Sequence, residues 1–393
     1  MISQPGRLWV ISTHHFTSKS PVSSRNSVLS PKFVYSADSR FADNAAIVIR
    51  SNHHEWILLV SDLIKPSFQT RLAAFRAIAT EFAGYVVVRS LVCFVQTLPY
   101  DMGNSMSRSI AWLASGPLRI RRNVTEKNLQ AIFPDATAQQ RQQLSLEMWH
   151  HLILMVCEIA WAQRRLHLTN WSEHVSFKNN RSILQACLSK RPAVLVAGHF
   201  GNFEIGGYTM GLMGCGATTI ARKLDNRFLH AWVERFRGAK GQKMVDKEGC
   251  AADVDQHLLS GGMLTLLADQ HAGPKGCWVE FMGVPASCHK ALALFSLASG
   301  APMFAGYTRR VGGQPMQFQS NCTGIADPQN DPDGHCASVT TLTNWYNRQL
   351  EGAVSEAVEQ YWWLHRRWRD PPERVAKRLA KQAQQKQSSK IAA

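Results

Sequence analysis

The sequence has few acidic residues for its length and lacks several common binding motifs. Only 28 Asp and Glu side chains accompany 44 Lys and Arg in 393 residues, which gives a formal charge of +16. A charge of that sign favours an anionic partner, such as nucleic acid, a membrane surface or a phosphorylated substrate. However, no RNA-binding signature or glycine-lysine phosphate loop is present, and basic residues gather in the tail. These absences argue against nucleic acid.

The nine cysteines form no C-x-x-C pair, and their odd number does not suggest a disulfide framework. Reduced thiols in a cytoplasm-facing protein are the better interpretation. The adjacent histidine pairs lack matching cysteine spacing, so we expect no metal site and no cofactor. The opening residues, MISQPGRLWVISTHHF, have no long apolar h-region, so they indicate no secretory signal peptide.

One apolar segment approaches the length of a membrane span but is interrupted. Residues 81–99 read EFAGYVVVRSLVCFVQTLP, with Arg89 in the middle. An arginine at the bilayer centre costs about 2.5–3.5 kcal/mol on insertion scales. We therefore predict a helix in the membrane interface or in one leaflet, and an amphipathic helix packed on the protein's own core is the alternative. Its polar residues share one helical face: Glu81, Tyr85, Arg89 and Gln96.

Strand-like and helical runs alternate after residue 190, which indicates an α/β fold with a largely parallel sheet covered by helices. Long helices are predicted over 137–165 and 341–368. The predicted organisation is an extension of unassigned role (1–66), a membrane-associating helical segment (67–100), a catalytic domain (101–370) and a basic tail (371–393). The predicted strands are AVLVAG, ATTIAR, MLTLLAD and APMFAGYTRR.

The stretch AGHFGNFEIGG places His199 and Glu204 five positions apart. The preceding PAVLVAG is typical of a strand buried on both faces, and Asn202 suits the N-cap of a following helix. His199 then lies on the turn at the carboxyl end of a strand, where open α/β sheets bind substrates. Glu204 lies in the first helical turn, so a contact between the two becomes possible.

Three further blocks follow GHFGNFE along the chain: LLADQ (266–270), VEFMGVPAS (279–287) and EQYWWLHRRW (359–368). In this order, the four blocks resemble the lipid A biosynthesis acyltransferase family, which transfers a secondary acyl chain to a Kdo-bearing lipid A precursor. GHFGNFE is similar to the family's H-x-x-x-x-D/E signature, and the last block to its terminal aromatic-basic helix. The resemblance runs from about residue 70 to 370.

The resemblance implies a glycerolipid acyltransferase-like fold at the inner membrane, with the active site facing the cytoplasm. The implied donor is acyl-acyl carrier protein, or acyl-CoA, and the acceptor hydroxyl attacks the thioester directly. A neutral histidine can take the hydroxyl proton, and a neighbouring carboxylate stabilises the imidazolium. His199 is thus the expected general base and Glu204 its support. The expected substrate-binding residues are Asn202, Arg222, Arg237, Asp269, Gln270 and Arg309.

Other interpretations of these residues stay open at this point. Asp269 could cap the following loop, and Arg222 and Arg237 could be surface charges. Trp362, Trp363 and Trp368 are interpreted as core and interface anchors rather than substrate platforms. The functional alternatives are a glycerolipid-type acyltransferase acting on a lysophospholipid or glycolipid, and an inactive membrane-bound scaffold.

Overall fold

The computed structural model describes residues 46–51, 54–59, 68–189, 191–238, 241–246 and 249–381. Contacts divide the chain into two units, Met1–Arg76 and Ala77–Ala393. In the first unit, β1 (Ala46–Ser51) and β2 (His54–Leu59) form an antiparallel pair. The predicted extension and tail lie partly outside the described residues, so their roles stay predictions.

A series of helices precedes the sheet. The segment predicted to be helical over 137–165 is confirmed, and it begins at a capping box in which Thr137 and Gln140 exchange hydrogen bonds. The helices in this part of the chain are α1 (Phe68–Thr97), α2 (Tyr100–Ser115), α3 (Arg122–Ile132), α4 (Ala138–Arg165) and α5 (Trp171–His174).

The second unit is built on a seven-stranded sheet, and all four predicted strands are present. In chain order the remaining elements are β3 (Val175–Lys178), α6 (Arg181–Leu188), β4 (Ala193–Ala197), α7 (Phe203–Leu212), β5 (Thr218–Ala221), α8 (Arg227–Gly238), β6 (Lys243–Asp246), α9 (Ala251–Leu259), β7 (Met263–Leu267), β8 (Cys277–Phe281), β9 (Val284–Cys288), α10 (Ala291–Ser299), β10 (Met303–Arg310), β11 (Phe318–Ala326) and α11 (Val339–Ser355).

The spatial order of the sheet is β3-β11-β10-β4-β7-β5-β6. Every neighbouring pair is parallel except β10 with β11, so the predicted α/β class with a largely parallel sheet is confirmed. The central strand β4 is apolar because both its faces are covered, and Val194 and Val196 are fully buried. The carboxyl ends of β4 and β7 are neighbours, which brings the residues after these two strands together.

Helix α1 contains the predicted apolar segment, and Leu72–Thr97 is long and apolar enough to cross a membrane. Its predicted polar face is turned towards other helices of the chain. The Glu81 carboxylate pairs with Arg227 at 2.9 Å, and the Arg89 guanidinium lies 5.0 Å from the ring centre of Trp232. The opposite face is open to the surroundings, with exposed side chains that include Val87, Leu91 and Phe94. This arrangement explains how an apolar helix tolerates charges.

The single helix predicted over 341–368 is wrong in its second half. Helix α11 ends at Ser355, and EQYWWLHRRW begins within a short 3-10 turn (Val358–Gln360) and continues as irregular chain. The backbone of this segment makes local turn hydrogen bonds and also bonds to the turn after β4. The carbonyl of Gln360 accepts from the Gly201 N–H at 3.0 Å, and the Trp362 N–H donates to the His199 carbonyl at 3.1 Å. Within a helix, these backbone groups would be used internally.

Candidate active site

The turn between β4 and α7 fixes the backbone beside His199. Gly201 has φ +61°, and a Cβ atom at this position would lie 2.1 Å from the Thr308 carbonyl oxygen. Only glycine fits there. The Asn202 side chain accepts a hydrogen bond from the Ile205 N–H at 3.2 Å, which confirms the predicted N-cap of α7.

His199 contacts a buried carboxylate that follows the neighbouring strand. Its Nδ1 lies 2.7 Å from Oδ1 of Asp269, and its backbone N–H donates to Oδ2 at 2.8 Å. Burial raises the pKa of Asp269, but the attraction of the His199 imidazole and its hydrogen bonds outweigh burial and hold that pKa well below its usual range. Asp269 is therefore an ionised acceptor for Nδ1–H, which leaves Nε2 of His199 as the proton-accepting atom.

Glu204 does not make the predicted contact with His199. Its carboxylate pairs with the Arg237 guanidinium of α8, with Nε donating to Oε2 at 3.3 Å and Nη2 donating to Oε1. The physical reason lies in the N-cap: α7 starts after the turn and carries Glu204 towards α8. The carboxylate that meets Nδ1 comes instead from the end of β7. Sequence spacing within one motif gave no sign of this partner 70 residues away.

Other rings surround the imidazole. The ring centres of Phe203, Trp362 and His365 lie 5.3, 5.1 and 4.7 Å from that of His199. Burial lowers the pKa of His365 to about 4, so this ring is neutral near pH 7. Trp363 and Trp368 are buried in the core, as interpreted from the sequence, whereas Trp362 packs against the catalytic candidate.

The remaining predicted site residues lie either near His199, as Gln270 and Asn202 do, or away from it, as Arg222 and Arg309 do. Gln270 lies at the site, with its Nε2 3.3 Å from Nε2 of His199. Asn202 is fully buried, so it positions α7 rather than facing a ligand. Arg222 is 81% exposed and pairs with Asp225 at 3.0 Å. Arg309, on strand β10, pairs at 3.3 Å with Glu356, which follows helix α11. The structure does not bring these two arginines to His199.

An apolar cavity opens beside the turn and runs along the sheet. Glu204 and Arg237 line it at the carboxyl edge. Both the first and the last residue of β7 line its wall, so it extends about 13 Å along the strand. Its deeper walls are mainly apolar side chains from α6, α7 and the sheet, including Ile183, Leu195, Met210, Ala217 and Met263.

A second, polar cleft is lined by residues that contact the imidazole. Gln270, Trp362 and His365 contact His199 and also line this cleft. We name it the basic cleft, because three exposed arginines line it: Arg121, Arg366 and Arg369. Two of them, Arg366 and Arg369, belong to the HRRWR sequence. The helix predicted for most of this sequence gave no indication that its arginines line a cleft beside His199. No three His, Cys, Asp or Glu side chains come together as metal ligands within the described ranges.

A buried ion pair, Glu158 with Arg310, stabilises the turn between β4 and α7. Arg310 donates to both carboxylate oxygens of Glu158 at 2.7 Å, and the Asn202 amide donates to Glu158 at 3.0 Å. His151 lies 3.2 Å from the Gly201 carbonyl and completes the network. Arg310 is thus structural and does not face a substrate. The sequence signal for this network is the single acid in LILMVCEIAW, on an otherwise apolar part of α4.

Comparisons with known proteins agree with this architecture. Residues 65–370 match the bacterial lipid A biosynthesis acyltransferase family. The chain is 25% identical over 293 residues to the lipid A biosynthesis lauroyltransferase of Escherichia coli (strain K12), covering 72% of this chain and 90% of that protein. It is 24% identical over 281 residues to the lipid A biosynthesis palmitoleoyltransferase of the same strain, covering 70% and 87%.

A third relative is a lipid A biosynthesis acyltransferase of Haemophilus influenzae (strain ATCC 51907 / DSM 11121 / KW20 / Rd), 23% identical over 312 residues, which cover 74% of this chain and 90% of that protein. The family match covers well over half of the chain and includes His199, Asp269 and the basic cleft. This chain therefore belongs to the bacterial lipid A biosynthesis acyltransferase family and is an acyltransferase.

Proposed function

We propose that this enzyme moves a fatty acyl chain from a thioester donor to a hydroxyl of a Kdo-bearing lipid A precursor. One observation carries the proposal: side chains that contact His199 line both an apolar cavity and the basic cleft, Phe203 the first and Gln270 and His365 the second. The cavity suits a hydrocarbon chain, and the cleft suits a polyanionic headgroup. The reacting atoms of two such substrates would meet at the imidazole.

The reaction is direct attack, with His199 as general base. Nε2 takes the proton of the acceptor hydroxyl while its oxygen bonds to the thioester carbonyl carbon. Asp269 stabilises the imidazolium that forms and holds the ring in one tautomer. The carbon–sulfur bond then breaks, and His199 returns the proton to the leaving thiolate. The N-terminus of α7, beside the ring, favours the negative charge that develops on the carbonyl oxygen.

The donor chain lies in the apolar cavity, with its thioester at the end bordered by Glu204 and Arg237. Burial of hydrocarbon there contributes about 0.8 kcal/mol for each CH₂ group. We propose acyl-acyl carrier protein as the donor, with acyl-CoA as the alternative. A small acidic carrier suits the net charge of +16.

The acceptor headgroup lies in the basic cleft. A lipid A precursor carries several phosphate and carboxylate groups, whereas a lysophospholipid usually carries a single phosphate. Three arginines supply more positive charge than the smaller headgroup needs, and their planar guanidinium groups suit such anions. The cleft favours the Kdo-bearing acceptor over the glycerolipid alternative for this reason.

We expect the purified enzyme to acylate a Kdo-bearing lipid A precursor and leave a lysophospholipid nearly untouched when both are offered with acyl-acyl carrier protein. Mass spectrometry of the products distinguishes the two. Exclusive acylation of the lysophospholipid would indicate a glycerolipid enzyme. No reaction with either acceptor would support the inactive scaffold.

Within that assay, Arg366→Gln and Arg369→Gln are expected to lower kcat/KM for the acceptor about tenfold each, mainly through KM. The lost contacts serve binding of the headgroup rather than proton transfer. Arg222→Gln is the matched control, because Arg222 is exposed like the two cleft arginines but pairs with Asp225 away from the cleft. A larger effect at Arg222 than at the cleft arginines would contradict the placement of the headgroup.

We further propose that α1 holds the enzyme on the cytoplasmic leaflet of the inner membrane. High salt is expected to leave the full-length protein membrane-bound, because burial of the apolar face rather than charge dominates. Replacing Val87, Leu91 and Phe94 with serine is expected to release it in a sedimentation assay, and Leu259→Ser on α9 is the control. Clean extraction of the unmodified protein by salt alone would refute this role for α1.

A further inference from the structure

Helix α2 and the turn after it present large apolar side chains to the surroundings. We name residues 110–122 the interfacial turn. Trp112 and Leu118 are 61% and 58% exposed, respectively. The other exposed apolar side chains in this segment are Ile110, Leu113 and Ile120. Five such side chains within eleven residues form a patch of the kind that marks an interaction surface.

The shape of the interfacial turn is fixed by its backbone. The N–H groups of Leu118 and Ile120 donate to carbonyls of α2 at 3.0 and 2.9 Å. Arg119 and Arg121 both have positive φ, at 49° and 54°, a conformation uncommon for residues other than glycine. The turn thus holds the exposed Leu118 and Ile120 in a backbone that is fixed by two hydrogen bonds to α2 and by two left-handed arginines.

Basic side chains accompany the apolar ones. Arg119 and Arg122 are exposed on either side of Ile120, and no acidic residue occurs between Asp101 and Glu126. Tryptophan with leucine and isoleucine suits the boundary of a bilayer, and arginine suits anionic lipid headgroups. This combination favours a lipid surface over an acidic protein, which would need the arginines but not the exposed apolar side chains.

Two neighbouring features agree with that choice. Only Leu98 and Pro99 separate α2 from α1, so the helix that ends in the interfacial turn follows in the chain directly after the helix with the exposed apolar face. Arg121, within the turn, lines the basic cleft and donates to the Leu364 carbonyl at 2.9 Å. The patch therefore borders the mouth of the candidate active site.

We propose that the interfacial turn is a second membrane contact, which binds the surface of a bilayer containing anionic phospholipid. The contact places the mouth of the basic cleft at the lipid surface. Given the proposed function, a lipid acceptor would then bring its headgroup to His199 while its own acyl chains stay in the membrane. The membrane contact itself does not depend on the identity of the acceptor.

Photocrosslinking of the full-length protein tests this contact. The photoreactive amino acid p-benzoylphenylalanine replaces Leu118, and the protein is reconstituted in vesicles of phosphatidylethanolamine with radiolabelled phosphatidylglycerol. The control places the same amino acid at Leu259, which is 83% exposed at the end of α9. We expect several-fold more labelled lipid adduct from position 118. Position 112 provides a second site if the first variant folds poorly.

The outcomes separate the possible partners. Equal lipid adduct at positions 118 and 259 would overturn the proposal. A crosslinked dimer in place of the lipid adduct would overturn it as well, and so would an adduct with acyl carrier protein when that protein is added to the vesicles. Arg119→Gln with Arg122→Gln is expected to lower the adduct at position 118, and an unchanged yield would refute the role of charge. Because crosslinking needs no turnover, an inactive enzyme that still labels lipid would refute the proposed reaction alone.

Discussion

Replacing His199 with alanine is expected to lower acyl transfer by about 10²–10⁴-fold, the usual cost of losing a general base. The variant removes Nε2, the atom that we propose takes the proton of the acceptor hydroxyl. His199→Asn is the companion variant, because its side-chain amide places a donor near the position of Nδ1. It therefore keeps a partner for buried Asp269 while still removing the base. Single-turnover transfer of a labelled acyl chain measures the loss.

The pH dependence of kcat/KM distinguishes the roles of the two carboxylates near the turn, Asp269 and Glu204. Both Asp269→Asn and Glu204→Gln are expected to impair transfer strongly, the first at the imidazole and the second by leaving Arg237 unpaired in the cavity wall. Only Asp269→Asn should move the acid limb of kcat/KM, and it should move it to lower pH because the imidazolium loses its counter-charge. A shift produced by Glu204→Gln instead would return the supporting role to Glu204. Wild-type transfer by folded His199→Asn would refute the mechanism.

Replacing Arg310 with methionine is expected to destabilise the fold by about 3–5 kcal/mol, because it leaves the Glu158 carboxylate buried without its positive partner. Glu158 is fully buried, and Arg310 supplies two hydrogen bonds of 2.7 Å to it. Glu158 also holds Asn202, so the loss is expected to reach the turn beside His199. The midpoint of thermal unfolding in detergent measures the first effect, and acyl transfer measures the second.

A more exposed pair offers the matched control. Arg191 makes a similar two-oxygen contact with Asp327, but its side chain is 34% exposed, so water compensates for the loss. Arg191→Met is expected to cost about 1 kcal/mol or less. Replacing both Glu158 and Arg310 with methionine should recover part of the lost stability, since no charge is left buried, whereas the Asn202 amide and the Met316 N–H still lose their acceptor. Equal destabilisation by Arg191→Met and Arg310→Met would contradict this account.

The periodic signals in the sequence predicted most of the fold. Strand β4 and its neighbours are short apolar runs because both faces are covered, and such runs can be recognised from the local sequence. The N-cap at Asn202 was equally legible, because it depends on residues three positions apart. His199 was found for the same reason: its position after a buried strand follows from local sequence.

The partners of His199 depend on contacts distant in sequence, which periodicity does not encode. Asp269 was noted as part of LLADQ, but its pairing with Nδ1 follows from the adjacency of β4 and β7 in the sheet. The irregular course of EQYWWLHRRW escaped prediction because its residues form a good helical pattern by themselves. Its backbone bonds to the turn after β4 decide the outcome instead, and they also bring Trp362 and His365 to the imidazole.

Helix α8 has two attachments about three turns apart, a span of about 15 Å. Its first turns contact α1 through Arg227 and Trp232, and its last turn places Arg237 against Glu204 in the wall of the apolar cavity. The shape of that wall is consequently tied to the seating of α1. A detergent that loosens α1 would alter the cavity as well as the presentation of substrate. If the acyl chain lies in this cavity, as proposed, the chain-length preference measured in micelles is expected to differ from that measured in bilayers, because α1 is positioned differently in the two.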